Sequence, residues 1–154
     1  MLFVKLLSAL LVWLSGVGWI FTNGVTSGTV AMPPLRFGTQ QVRAFFNDGF
    51  VMEGSSATFM VSTAIGTDKS TYTSADQVTV NFGGMLGASK DWVAVTPAGS
   101  PPGVFSAFFY TGGAAGGSHV WPASTFGAGT FVARSLFNDT TTVSAESAPF
   151  TITP

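Results

Sequence analysis

The chain carries a second version of part of itself, and that self-similarity limits its architecture more than any other feature of its 154 residues. Phe21-Thr22-Asn23-Gly24 lines up with Tyr110-Thr111-Gly112-Gly113, and Pro33 then meets Pro122. Phe37-Gly38 falls on Phe126-Gly127 without a gap. Two extra residues in the later copy bring Arg43 onto Arg134 and Asn47-Asp48 onto Asn138-Asp139. From there the register holds, with Ala57 on Ala148, Phe59 on Phe150 and Val61 on Ile152. Ordered matches at Pro, Gly, Arg and Asn-Asp are hard to obtain by chance. The later copy, about Ser70 to Pro154, has an upstream half; the earlier one begins near Trp19 and reads as lacking it.

The complete copy reads as short strands separated by turns. Residues 77–82 alternate polar and apolar, putting Val78, Val80 and Phe82 on one face, and Gly83-Gly84 stops them. Residues 91–95 form the next strand, followed by a turn-rich connection from Pro97 to Gly103. Residues 105–110 form an aromatic strand closed by Thr111-Gly112-Gly113, and residues 118–121 a short one ending at Pro122. The longest run is 130–137, with Asn138-Asp139 beginning its turn; residues 143–152 return antiparallel, and Pro149 marks an edge or a bulge. With a weak strand at 70–73 the count is seven, and no amphipathic helix competes. The pattern predicts an all-β, seven-stranded antiparallel sandwich of the immunoglobulin or fibronectin kind, with a Trp on its third strand. The pleat predicts a core of Val78, Val80, Phe82, Trp92, Phe131, Phe150 and Ile152.

Composition removes most chemistry. Charged residues are 8% of the chain, against about 25% in ordinary domains, and Gly, Ser, Thr and Ala take their place, as in extracellular β modules. A net charge of −1 leaves no basic stripe for nucleic acid. The absence of Cys excludes disulfides, Cys-bound zinc, iron–sulfur clusters and thiol nucleophiles. No cofactor is expected. The single histidine, His119, lies beside Trp121 with no second histidine, and reads as structural. The Gly-rich 111–117 stretch has no following Lys and precedes a strand, so it fails as a phosphate loop. No Ser sits in a G-x-S-x-G context. Asn138-Asp139 and Asn47-Asp48 read as turns; the calcium alternative offers only Asp139 with Glu146, or Asp48 with Glu53. Asn138-Asp139-Thr140 matches a glycosylation sequon and is expected unmodified. Arg134 and Arg43 are expected to pair with an acid across the sheet, Asp91 or Glu146 for Arg134, and Asp91 to cap its strand. Phe108, Tyr110 and Trp121 are the candidates for ligand contact, by stacking on a sugar ring.

The strings Asp91-Trp92-Val93-Ala94-Val95, Pro97-Ala98-Gly99-Ser100 and Tyr110-Thr111-Gly112-Gly113 resemble an Ig-like module of bacterial extracellular and multidomain proteins. Gly129-Thr130-Phe131-Val132-Ala133-Arg134, Phe137-Asn138-Asp139 and Ala145-Glu146-Ser147-Ala148-Pro149-Phe150 continue the likeness. Such modules are distantly similar to the amino-terminal sandwich of purple acid phosphatases and to SKICH domains, which share an Asp-Trp-Val/Ile strand. The resemblance covers Ser70 to the end and the second half of the earlier copy; this chain departs from it with Phe108 where a Trp is commoner. It implies a tandem, surface-exposed, non-catalytic repeat, with Asp91, Trp92, Arg134, Asn138, Asp139 and Phe150 as its structural signature.

The expected organisation is an apolar segment at 1–18, a partial Ig-like repeat at 19–65 and a complete sandwich at 70–154. Between Lys5 and Arg36 no side chain is ionisable, and 6–21 is mostly apolar. That stretch reads as a secretory signal, a membrane anchor in contact with lipid, or part of the repeat, either as a remnant in a frame that starts inside a longer array or with Leu6–Leu14 substituting for the missing strands. The expected location is secreted or cell-surface. The leading expectation is a module that spaces, adheres or assembles, with homotypic association through the incomplete first repeat. The alternative is an accessory ligand-binding domain, for polysaccharide, of a larger secreted protein.

Overall fold

Val78, Val80 and Phe82 alternate with Gln77, Thr79 and Asn81, and a two-residue period is the signature of a strand with one face in an apolar core. The computed structural model describes residues 3–7, 11–14, 18–21, 27–46 and 51–154, which fall into two units, Met1–Val61 and Ser62–Pro154. The first unit holds β1 (Phe3–Leu7), β2 (Leu11–Leu14), β3 (Gly18–Phe21), β4 (Ser27–Ala31), β5 (Gly38–Gln40), β6 (Val42–Phe45), β7 (Met52–Ser55) and β8 (Phe59–Val61). The second holds β9 (Ala64–Thr67), β10 (Thr71–Thr73), β11 (Gln77–Gly83), β12 (Trp92–Pro97) and β13 (Ala107–Tyr110). It continues with β14 (Gly116–Pro122), a 3-10 turn at Ala123–Thr125, β15 (Gly129–Leu136), β16 (Val143–Glu146) and β17 (Phe150–Thr153).

In the second unit two sheets enclose one core. One runs β10-β17-β15-β12-β13, with β16 also on β15, and the other runs β14-β11-β9. All pairings are antiparallel except β10 with β17. Val78, Val80, Phe82 and Trp121 from one sheet meet Val93, Val95, Phe131, Ala133, Phe150 and Ile152 from the other, with Tyr72 and Met85 filling the ends. This is the antiparallel Ig-like sandwich expected.

Three details differ from expectation. Trp92 is buried at 6% exposure, but with Ala94 and Leu136 on the outer face of the larger sheet rather than between the sheets. The pleat explains it: Val93 and Val95 take the inner face, so Trp92 and Ala94 must take the other. The return strand is split, because Ser147 to Pro149 interrupt the pairing that β16 and β17 both make with β15. Finally, Ala64–Thr67, which straddles the expected end of the first repeat at 65 and the linker after it, forms a strand that pairs with β11 in the second unit. These two changes bring seven strands to the nine named above.

The first unit repeats the ladder residue for residue, with Gly38 at the place of Gly129 rather than of Gly127, so the two extra residues of the later copy lie before this strand and not after it. Gly38↔Val61, Thr39↔Met60 and Gln40↔Phe59 correspond to Gly129↔Ile152, Thr130↔Thr151 and Phe131↔Phe150. Arg43↔Ser55, Ala44↔Gly54 and Phe45↔Met52 correspond to Arg134↔Glu146, Ser135↔Ala145 and Leu136↔Val143, with the register shift at the same step. The interruption keeps its hydrogen bonds as well. The Val42 and Ala133 amides donate to Ser56 Oγ and Ser147 Oγ at 3.1 and 2.9 Å. Each serine amide in turn donates to the carbonyl of Val42 or Ala133 at 2.9 Å.

The correspondence extends upstream, which corrects the expectation that the earlier copy lacks that half. β2 lies between β3 and β6 as β12 lies between β13 and β15, and Leu11↔Phe21 takes the place of Trp92↔Tyr110. β1 pairs with β4 as β11 pairs with β14. Residues 3–7 and 11–14 therefore lie in strands; apart from Lys5 both are apolar, so neither shows the alternation that marks a half-buried strand. Among the described residues nothing corresponds to β9 or β10, and no helix is long and apolar enough to cross a membrane.

Candidate functional site

β13 forms one edge of the larger sheet, and its pleat sorts four residues into two roles. Phe109 packs on the core, while Phe108 and Tyr110 lie on the outer face, 43% and 45% exposed. They stand opposite Ala94 and Trp92 of β12. Phe105, at the end of the long connection from β12, completes a cluster of rings. Its centroid lies 5.0 Å from Phe108 and 5.5 Å from Trp92, Trp92 lies 5.8 Å from Phe108, and Phe108 lies 5.6 Å from Tyr110. Every contact is edge-to-face, with interplanar angles from 69° to 86°.

Polar groups close one end of this strip. The Tyr110 hydroxyl donates to Asp139 Oδ1 at 2.7 Å, and Lys90 Nζ lies 3.0 Å from Asp139 Oδ2. The hydrogen bond from Tyr110 and the ammonium of Lys90 hold the Asp139 carboxyl below its ordinary range. The same contacts raise Tyr110 and Lys90. Asp139 is aimed by a tight turn in which both Asn138 (φ 47°) and Asp139 (φ 63°) are left-handed, and the Thr140 amide donates to the Phe137 carbonyl at 3.0 Å. Two left-handed central residues define the hairpin turn whose twist matches the strands, and Asn and Asp tolerate it best after Gly.

Asp91 fixes this corner from below. It has no solvent exposure. Its Oδ2 accepts the amides of Gly87 and Ala88 at 2.8 and 3.0 Å, and its Oδ1 accepts the amide of Asn138 at 3.1 Å. One carboxylate therefore ties the approach to β12 to the turn after β15, more than the capping expected of it. Trp92 Nε1 adds a bond to the Thr140 carbonyl at 3.1 Å. Arg134 anchors the other end of the strip. Its Nε meets Glu146 Oε2 at 2.6 Å, and Nη2 and Nη1 donate to the carbonyls of Ser100 and Pro101 at 2.9 and 3.4 Å. Glu146, not Asp91, is thus its acid, and the guanidinium also holds the connection that delivers Phe105.

Of the three ligand-contact candidates, Phe108 and Tyr110 come together and Trp121 does not. Trp121 is 9% exposed and faces the core from β14, edge-on to Phe109 and Phe126. The reason is its register: it stands opposite Val78, whose side chain points inward. His119 lies flat on Phe109, centroids 4.2 Å apart at 13°, and 4.3 Å from Trp121. Phe105 went unmarked on sequence, although Phe105, Phe108 and Tyr110 surround a strand whose outward positions are all aromatic. Asp139 and Glu146 serve different cations, Lys90 and Arg134. Among the described residues no three metal-ligating side chains converge. Asn47 and Asp48 lie outside the described residues.

The second unit's remaining charges serve the fold. Asp68 accepts from the Tyr72 hydroxyl at 2.7 Å and the Thr79 amide at 3.0 Å. Asp76 accepts from the Thr73 amide and hydroxyl and pairs with Lys69 at 3.0 Å.

No family model matches the chain, and no characterised protein matches it in sequence. Among solved structures it is similar to the D0-D1 domain of intimin, at 14% identity and a TM-score of 0.40, over 97% of this chain and 84% of that one. It is similar also to the D00-D0 domain of intimin, at 10% identity and 0.39, over 93% and 78%. Likeness at this level carries no argument about function, and the fold stands on the ladders themselves.

Proposed function

We propose that the chain is a non-catalytic Ig-like protein of the exported or cell-surface kind, built of two copies of one module, with a structural and adhesive role. One observation carries this reading: every charged side chain of the second unit is bound to a backbone amide, a hydroxyl or an opposite charge that holds the fold. Acid–base catalysis needs an ionisable group positioned toward a substrate, and the one histidine lies flat against a phenylalanine. The matched ladders support the two-copy reading, and the low charge and Gly-Ser-Thr-rich surface support the exported one. Strands at 3–7, 11–14 and 18–21 favour the repeat reading of the apolar segment over a helical signal or anchor.

A second reading, an accessory carbohydrate-binding domain, is favoured by the exposed aromatic strip. Against it, the rings pack edge-to-face, so Phe105, Phe108 and Tyr110 offer no shared plane to a sugar. A hydrolase screen combined with a glycan array tests both. The expected result is no turnover and no glycan signal. Turnover abolished by His119→Ala overturns the non-catalytic reading, and a glycan signal lost in Tyr110→Ala replaces the structural role with the accessory one.

A further inference from the structure

We infer that β13 is a docking edge for a second copy of this chain, strand against strand, with the aromatic strip as the apolar part of the contact. The inference deepens the adhesive reading above and rests on it. It moves self-association from the first repeat, where the sequence placed it, to an edge fully described in the second.

The backbone sets the phase. The Thr111 amide donates to the Asp91 carbonyl at 2.7 Å, so residues 91 and 111 form a hydrogen-bonded pair. Antiparallel ladders alternate such pairs with open ones. Phe109 therefore bonds to β12, and the N–H and C=O groups of Phe108 and Tyr110 point off the edge. The same two residues carry the exposed rings, so one strand offers main-chain pairing and an apolar surface together. Val104 and Phe105, 48% and 43% exposed, extend that surface.

The other edges of this unit are guarded, as edges ordinarily are. β9 runs into Asp68 and Lys69, β10 is flanked by the Lys69–Asp76 ion pair, β14 ends at Pro122, and β16, paired only with β15, ends at Glu146. β13 carries no charge and no proline, and no residue from Trp92 to Ala133 is charged. The one charged pair beside it, Lys90 with Asp139, is neutral as a unit.

Electrostatics therefore favour a like partner. With a net charge of −1, two copies approach without appreciable repulsion, and an uncharged aromatic edge finds its complement in the same edge reversed about a two-fold axis. In the first unit β3 holds the same outer place, and its Phe21 is 53% exposed.

Sedimentation equilibrium of the full chain, from micromolar to near-millimolar, tests the inference together with hydrogen exchange. The expected mass rises from 15.9 kDa toward about twice that, and exchange of the Phe108 and Tyr110 amides slows as it does. Phe108→Lys, which puts a charge on the edge, is expected to weaken association about tenfold or more with its circular-dichroism spectrum unchanged. Val120→Lys, at an exposed position of β14, is expected to leave it intact. A chain that stays monomeric, association untouched by Phe108→Lys, or equal loss in both variants overturns the docking. So does a monomer whose strip binds a glycan. A monomeric result leaves the non-catalytic reading standing, since the turnover screen does not depend on association.

Discussion

The two units draw the same ladder and fill it differently. Where β15 and β17 place Phe131 against Phe150, at 6.0 Å between ring centroids, the first unit pairs Gln40 with Phe59. Where Arg134 faces Glu146, Arg43 faces Ser55, and its Nε donates to Gln41 Oε1 at 3.3 Å. Where Asp91 precedes β12, the residue before β2 is Leu10. What the units share is backbone: the register, the shift within it, and a serine hydroxyl at the interruption. Strand pairing in this module is thus specified by main-chain geometry and a few turn residues, and the side chains between them vary.

The largest effect should come from the position where the fillings diverge most. Phe131→Ala is expected to cost the second unit about 3–5 kcal/mol, as for buried aromatics generally, because it touches both Phe126 and Phe150. A urea titration read by hydrogen exchange should show that unit's midpoint falling; an unchanged midpoint would place Phe131 outside the core.

Asp91→Ala comes next, at about 2–3 kcal/mol, since it strands three amide donors that the carboxylate now satisfies. The Gly87, Ala88 and Asn138 amides should exchange faster in that variant. If they do not, the clip is redundant.

The shared serines give the sharpest comparison. Ser147 is buried and Ser56 exposed, so Ser147→Ala should cost about 1–2 kcal/mol, and Ser56→Ala a few tenths because water replaces the lost bond. Equal costs would mean that the environment of the bulge is the same in both units.

The smallest effect is one of pH. Hydrogen bonds from the Thr73 amide and from Lys69 hold Asp76 at about 2, below its ordinary 3.8. A depressed carboxyl contributes stability above its unfolded value and loses it as pH falls through the folded one. Asp76→Asn should therefore lower the thermal midpoint slightly at neutral pH, flatten its decline between pH 4 and pH 2 and converge with the parent at the acid end; an unaltered slope would show that Asp76 is not its source.

Alternation made β11 legible, since one face is packed and the other wet, and turn residues made its boundaries legible. The repeat was legible at Arg43 and Arg134 because special residue types survive divergence. The face taken by Trp92 was not, because both faces of β12 are covered and every residue from Trp92 to Thr96 is buried, which erases the period. β1 and β2 show no alternation because, Lys5 apart, their sequences are apolar. Phe108 and Tyr110 could be named as candidates from their strand. Trp121 was misplaced among them because its side depends on the pairing with β11, which no local pattern specifies.

The connection between β12 and β13 has a consequence for how such a module diversifies. In the second unit it spans residues 98–106 and delivers Phe105, whereas the corresponding strands β2 and β3 are joined across 15–17 alone. Doubling a loop adds only about 0.6 kcal/mol of closure entropy, so this junction can grow or shrink while the hydrogen-bonded frame stays put. New recognition surface is therefore cheapest to invent here, by splicing residues into a hairpin rather than by rebuilding a core.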